Sequence, residues 1–386
     1  MKVGKKIKIV HVQLLPLLSG VQRVSLQEFL LLNSERYEKI LICKEPGDLT
    51  KESEKVGVKC FYVSSLVRNI SPFDDFKSFI NLFSLFKQIK ADIVHTHSAK
   101  TGVLGRIAAK LAGVPIVIHT VHGFSFESTN NKAISYVYKF VEYVSAFFSD
   151  RIICLHDEDK NKCINILKVP REKICILPNG VDLDKYHPVE EIQKKFLRSD
   201  FNLQNASLIF TMVGRLWDQK NPLLLVQAAQ KYLRSNSVSN DIFIFVGDGD
   251  LRSQIEKLAA KEISAGRIIL LGWRNDIAEI LSLSDVFILP SKWEGMPLAI
   301  LEAQASGLPC IASDIAGNKS LIKDNINGIL FQNDSVDSLL TKIILLSSAD
   351  ERKRISHNAM DIVKKKHCIH SRIKEMESLY ESLLNQ

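Results

Sequence analysis

Apolar runs too short for helices recur along the chain, separated by stretches whose apolar residues repeat at helical spacing. In the first half, residues 7–12, 40–43, 60–63, 92–95, 116–120, 152–155 and 174–177 read as strands, with helical periodicity between most of them, as at 20–33 and 77–90. Such alternation predicts a parallel, doubly wound sheet. Pro178-Asn179-Gly180-Val181-Asp182 then supplies a cluster of turn residues, followed by Tyr186-His187-Pro188, and the domain linker is placed there. The second half repeats the pattern, with strands expected at 208–213, 242–246, 268–271, 286–289, 310–312 and 328–331. The tail 371–384 is helical in pattern, and no repeat or low-complexity segment is visible. At 386 residues the chain exceeds one usual core. The expectation is an α/β protein of two Rossmann-like domains, residues 1–185 and 186–370.

The stretch 131–150 carries two apolar stripes. At about 100° per residue, Ile134, Val137, Val141, Val144 and Phe148 form one, and Tyr136, Phe140, Tyr143 and Phe147 form a second. Lys132 and Lys139 border the aromatic stripe. One stripe suffices for docking on a sheet. The second fits either a helix buried on two sides or contact with a membrane headgroup layer.

Hydrophobic content of 46% and charged content of 24% are those of an ordinary globular protein. Seven cysteines, an odd number with no C-x-x-C pair, read as buried free thiols in a reducing compartment. Lys2, Lys5, Lys6 and Lys8 precede apolar residues, but His11, Gln13 and Pro16 interrupt the run, so a signal peptide is not expected. No apolar stretch approaches the roughly 18 residues that would suggest a spanning helix. The formal charge of +8 is uneven: residues 1–180 hold 26 Lys and Arg against 17 Asp and Glu, the remainder 25 against 26. The basic residues are scattered and follow no nucleic-acid-binding pattern, so phosphate or an anionic lipid surface is the expected partner of the first half.

The most informative motif follows the strand at 286–289. In Glu294-Gly295-Met296-Pro297-Leu298-Ala299-Ile300-Leu301-Glu302, Pro297 suits the first turn of a helix and Gly295 permits close backbone approach to a ligand. A helix beginning here turns free N–H groups and a positive dipole end toward an anion. Eight residues at helical rise cover roughly 12 Å, the scale of a nucleotide diphosphate-sugar. One carboxylate could hold sugar hydroxyls and the other ribose hydroxyls; a capped helix with two solvated glutamates is the plain alternative. Gly214-Arg215-Leu216-Trp217-Asp218-Gln219-Lys220 follows another strand and suits a diphosphate, with arginine binding it in bidentate fashion and lysine adding a point charge. Alone, it could also be a solvated basic loop. Val246-Gly247-Asp248-Gly249 marks a tight turn, and Gly272-Trp273-Arg274-Asn275-Asp276 follows the next strand. Histidines gather at His95-Thr96-His97 and His119-Thr120-Val121-His122-Gly123. A metal site is conceivable there, but no carboxylate or cysteine cluster completes it in sequence. Metal independence is expected.

The double-glutamate segment resembles the E-x-x-x-x-x-x-x-E signature of retaining glycosyltransferases of the GT-B architecture, two Rossmann-like domains facing across a cleft. Arg215 and Lys220 match the G-R-x-x-x-x-K form of glycosyltransferase family four, where the pair stabilises the departing nucleotide diphosphate. The resemblance covers both halves in order. It implies a donor site of Gly20, Gly214, Arg215, Lys220, Gly247, Arg274, Glu294, Gly295, Met296, Pro297, Leu298 and Glu302, with His122 over the transferred sugar. Arg215, Lys220, Glu294 and His122 are the expected catalytic groups. The family's usual Gly-Gly after the first strand is here Ser19-Gly20. The family also implies that the final helix, 371–386, crosses back onto the first domain. The expected reaction is retaining transfer of a hexose or N-acetylhexosamine from a nucleotide-sugar, most naturally UDP-linked, to an undecaprenyl-diphosphate-linked saccharide. That places the protein in bacterial O-antigen, lipopolysaccharide or capsule synthesis, peripheral on the cytoplasmic face of the membrane. UDP-N-acetylglucosamine 2-epimerases share the architecture, and a non-catalytic nucleotide-binding scaffold is the third reading.

Overall fold

The computed structural model describes residues 6–127, 129 and 131–385, so Lys2 and Lys5 of the basic N-terminus lie outside the described residues. The chain forms two compact units. The first comprises residues 1–179 with 370–386, the second residues 180–369.

The first unit holds seven strands: β1 Ile7–Val12, β2 Tyr37–Cys43, β3 Lys59–Tyr62, β4 Ile93–His97, β5 Ile116–Thr120, β6 Arg151–Cys154 and β7 Ile174–Ile176. Every pairing is parallel, in the order β3-β2-β1-β4-β5-β6-β7. β4 and β5 are buried along their whole length, covered on both faces. On one face the helix Ala99–Leu111 sits tightly down. A Cβ on Gly102 would meet the His119 ring at 2.5 Å, and one on Gly105 the Thr96 methyl at 2.8 Å. The other face is closed by Gly20–Leu31 and the C-terminal helix Ile369–Leu384. Tyr380 of that last helix reaches His95, and Arg372 binds Glu28.

The second unit has six strands: β8 Ile209–Val213, β9 Ile242–Val246, β10 Ile268–Gly272, β11 Val286–Leu289, β12 Cys310–Ser313 and β13 Ile329–Phe331. Their order is β10-β9-β8-β11-β12-β13, again all parallel. Its core is built on Phe210, Met212, Phe243 and Phe245, with the rings of Phe210 and Phe243 stacked at 4.7 Å. In each unit the strand order reverses beside its first strand. In such sheets ligands bind beyond the carboxyl ends of the strands at that reversal.

The helix Lys132–Ala146 corrects the sequence reading. The stripe expected to dock does not: Ile134 and Val137 are exposed, and Val141, Val144 and Phe148 only half-buried. The buried residues are Glu142, Ser145 and Ala146, with Ser149 just beyond. Glu142 is paired with the buried Arg106 at 2.7 Å, and small residues beside it permit close approach to the neighbouring helix. An ion pair thus anchors the helix and turns its apolar side outward. Tyr136 is 70% exposed, Phe140 65% and Phe147 64%. Phe73 and Phe76, at the start of the helix Pro72–Ile89, are 79% and 66% exposed.

Candidate active site

In the second unit, three loops leaving β8, β9 and β10 are stitched together by backbone. Gly214 N donates to Val246 O at 2.9 Å, Leu216 N to Asp248 O at 2.9 Å and Gly247 N to Gly272 O at 2.8 Å. Gly247 has φ +134°, and a Cβ there would lie 2.0 Å from the Gly214 carbonyl oxygen. Its glycine is required by packing, which fixes the Gly214–Arg215 corner. Arg215 stacks on Trp217, its guanidinium carbon 4.4 Å from the ring centroid. Lys220 ends the short 3-10 turn Asp218–Lys220 and ion-pairs with Glu294.

Glu294 stands in the turn between β11 and the helix Leu298–Ala305, with Pro297 as N-cap. Ser291 Oγ donates to Glu294 Oε1 at 2.7 Å, the same oxygen that Lys220 engages. Gln219 Nε2 donates to the Trp293 carbonyl at 3.0 Å. Gly317 lies beneath, where a Cβ would sit 2.4 Å from the carbonyl oxygens of both Glu294 and Gly295. Met296, Pro297 and Leu298 are buried, so they contribute backbone rather than exposed side chains. The helix start carries no side-chain cap, leaving its first N–H groups for an anion. Glu302 is buried one turn into that helix. Because the helix begins only at Leu298, a helical rise does not cover all eight residues between the glutamates, and the 12 Å estimate does not carry over.

In the first unit, His11 of β1, His95 and His97 of β4 and His122 after β5 lie together. His97 Nδ1 is 3.1 Å from His122 Nε2, and His97 Nε2 is 3.0 Å from His11 Nδ1. Burial lowers the pKa of His122 to about 3 and that of His11 to about 4, with Arg372 adding to both shifts and Glu28 partly opposing that of His11. His95, His97 and His119 are likewise held well below 6.5, chiefly by burial. Ser98, directly after β4, has φ 67° and ψ 159°, a region populated almost only by glycine and costing about 1–3 kcal/mol.

Residues 18–185 match the family Glycosyltransferase Family 4, and residues 193–361 match Glycosyl transferases group 1. A UDP-Gal:alpha-D-GlcNAc-diphosphoundecaprenol alpha-1,3-galactosyltransferase of Escherichia coli is 49% identical over 97% of both chains. The chain belongs to glycosyltransferase family 4. An N,N'-diacetylbacillosaminyl-diphospho-undecaprenol alpha-1,3-N-acetylgalactosaminyltransferase of Campylobacter jejuni is 25% identical over 83% of this chain and 85% of its own. Among solved structures, Anabaena HepE in complex with UDP-glucose superposes with a TM-score of 0.82, at 17% identity, over 97% of this chain and all of that one. With two parallel doubly wound sheets, this likeness gives the GT-B fold.

Within this glycosyltransferase the expected residues are placed unevenly. Gly214, Arg215, Lys220, Glu294 and Gly295 converge at the carboxyl edge of β8 and β11. Arg274 is held by both oxygens of Asp276 and lies over the Phe201 ring, which ties it to its own loop. Gly20 opens the helix Gly20–Leu31, and a Cβ there would meet nothing within 4 Å, so no packing demands glycine. Lys100, at the start of the helix Ala99–Leu111, is paired with Asp75 at 2.5 Å. Ser291, Gln219 and Gly317, which support Glu294, were not singled out in sequence. Nor were His11, Glu28, Arg372 and Tyr380, which surround the histidines.

Ligand atoms of His11, Glu28, His95 and His97 lie within 4.8 Å of one another. The donor set does not suit a cation. Glu28 already neutralises Arg372 at 2.7 Å, and His95 spends its two nitrogens on Tyr380 Oη at 2.9 Å and Thr120 Oγ1 at 2.7 Å. Both nitrogens of His97 are engaged by other histidines. A metal would have to displace these bonds and sit beside a guanidinium.

Proposed function

We propose that this glycosyltransferase moves galactose from UDP-galactose to the 3-hydroxyl of an α-GlcNAc-diphosphoundecaprenol acceptor, in the synthesis of a bacterial surface polysaccharide. The observation that carries the reading is the 49% identity, over 97% of both chains, with the E. coli enzyme named for that reaction. The site is chemically suited to it. Arg215, Lys220 and the uncapped start of the helix Leu298–Ala305 would receive the diphosphate, stabilising the charge that grows as the glycosidic bond breaks. Lys220 and Ser291 both address Glu294 Oε1, which leaves Oε2 to accept from sugar hydroxyls. Glu302 would take the ribose hydroxyls. UDP-galactose carries its sugar by an α bond, so an α product means retention. The acceptor oxygen would bond to the anomeric carbon on the face the diphosphate leaves, its proton passing to a diphosphate oxygen.

A lipid-linked acceptor requires reach to a bilayer, and the first unit supplies a surface for it. Tyr136 and Val137 lie in the first half of the helix Lys132–Ala146 and Phe140 just past its middle, and Phe73 and Phe76 open the helix Pro72–Ile89. Both helices start at the carboxyl edge of the sheet, the edge that also carries His97 and His122. Lys139 lies 5.5 Å from the Tyr136 ring centroid, an arrangement suited to anionic headgroups. Among the described residues no helix is long and apolar enough to cross a membrane. The surface would rest on the cytoplasmic leaflet.

The test is a panel of UDP-galactose, UDP-glucose, UDP-N-acetylgalactosamine and a GDP-sugar, each with and without a GlcNAc-diphospholipid. Galactosyl transfer from UDP-galactose, dependent on acceptor, is the expected result. Preference for another donor would overturn the substrate assignment. Conversion of a UDP-sugar without acceptor would favour an epimerase, and inertness toward all of them a scaffold.

A further inference from the structure

The histidines form a directed string. His122 Nε2 meets His97 Nδ1 at 3.1 Å, and His97 Nε2 meets His11 Nδ1 at 3.0 Å. His11 Nδ1 also faces Glu28 Oε2 at 3.6 Å. The other oxygen of Glu28 accepts from Arg372 Nη1 at 2.7 Å. Each neutral imidazole has one N–H and one lone pair, so choosing the proton position on one ring settles the next.

Two observations choose it at His11. First, His11 Nε2 has no hydrogen-bond partner among the described residues. A buried unpaired N–H is rarer in native structures than an unpaired acceptor, so the proton belongs on Nδ1, where it has a partner. Second, Nδ1 faces a carboxylate, which attracts N–H and repels a lone pair. With His11 carrying Nδ1–H, His97 Nε2 must accept. His97 then carries its proton on Nδ1 and donates to His122 Nε2. The proton of His122 is left on Nδ1, the nitrogen outside the string.

We propose that Glu28, acting through His11 and His97, fixes His122 as a neutral Nδ1–H tautomer, so that His122 offers substrate a hydrogen-bond donor and not a general base. Glu28, His11 and His97 are positioning residues: they are buried and act through His122. Protonating His122 as well would set an N–H against the His97 N–H, so the string also resists charging. Arg372, Arg106 and the other histidines surround it with positive or neutral groups, and Tyr380 and Thr120 are occupied with His95. The consequence for chemistry is that the acceptor proton must leave by another route, in keeping with its transfer to the departing diphosphate. The inference rests on the reading of His122 as a substrate-facing residue.

The experiment is long-range 1H–15N correlation of the histidine rings in the full-length protein, labelled with 15N-histidine, at neutral pH, together with galactosyl-transfer kinetics. Wild type is expected to show His122 as Nδ1–H. In Glu28→Gln the amide can turn an N–H toward His11 Nδ1, which reverses the string. His122 should then appear as Nε2–H, with kcat reduced about tenfold and the KM for UDP-galactose little changed. His97→Phe keeps a ring while removing both nitrogens and should leave His122 a mixture of tautomers. That variant serves if Glu28→Gln does not fold. Nε2–H at His122 in wild type, or an unchanged tautomer in either folded variant, would overturn the proposal. So would stoichiometric Zn²⁺ binding that shifts the His11 and His97 nitrogens. A tautomer switch with unchanged kcat would uphold the string and remove His122 from contact with substrate.

Discussion

Lys220 ion-pairs with Glu294, a residue seventy-four positions away, on the oxygen that also accepts from Ser291. The lysine proposed to bind diphosphate and the glutamate proposed to bind the sugar are therefore one unit. Lys220→Ala and Glu294→Ala are each expected to lose at least about tenfold in transfer rate, roughly 1.4 kcal/mol of barrier. The double variant should lose much less than the product of the two, because each single change already disables the other side chain. Arg215→Ala and Glu302→Ala should also lose about tenfold or more. Near-wild-type initial rates for all four folded single variants would remove the site assignment.

Transfer should survive EDTA. Arg215, Lys220 and a helix N-terminus can together stabilise diphosphate charge without a cation. Activity measured before and after chelation, then after Mg²⁺ or Mn²⁺ is restored, decides the point. Complete loss followed by recovery would show that a metal does this work.

Anionic liposomes should sediment the protein at low salt, and less so as salt rises. Tyr136/Phe140/Phe147→Ser should lose most of that binding while retaining transfer to a short, soluble acceptor analogue. Phe73→Ser with Phe76→Ser should weaken it further. Equal sedimentation of wild type and the triple variant, or none by wild type, would refute the membrane-facing assignment.

Stability should fall on acidification, beginning near pH 6.5. His11, His95, His97, His119 and His122 all have folded pKa values below the ordinary 6.5. Below that pH the unfolded chain binds protons that the folded chain refuses. Their neutral burial is therefore harmless above pH 6.5, and stability is lost as pH falls toward 4. Urea midpoints at pH 8, 7, 6 and 5 should be level over the first two and drop over the last two. A flat profile to pH 5 would contradict the burial of these rings.

Arg106→Ala should destabilise the protein by about 3–5 kcal/mol, because it leaves Glu142 buried without its partner. Replacing both by methionine and leucine should recover most of that loss. Chemical denaturation of the two variants is the measurement. A single-site loss below about 1 kcal/mol would mean the pair is better solvated than its burial indicates.

The strands were legible because each is a compact apolar run. β1, β5, β9 and β11 have the bounds the pattern gives, while β4 runs on to His97 because both of its faces are covered. Arg215, Lys220 and Glu294 were legible because each sits in a short motif. The docking face of Lys132–Ala146 was not. Periodicity reports where apolar residues lie, and here a charged residue is buried because its partner, Arg106, comes from another helix. The histidine surroundings were hidden for a similar reason. His11, Glu28, Arg372 and Tyr380 come from β1, the helix after it and the chain's last helix, and no local spacing joins them.

The closing helix Ile369–Leu384 belongs to the first unit although the second unit lies between them in sequence. During synthesis, residues 180–369 emerge as an uninterrupted stretch and can complete their own fold. The first unit must wait: until Arg372 arrives, Glu28 has no cation, and until Tyr380 arrives, His95 lacks a partner on that face. The ribosome therefore delivers the earlier-made unit last to its finished state, and a chain stopped before Arg372 would carry a completed second unit and a first unit whose buried Glu28 lacks its cation.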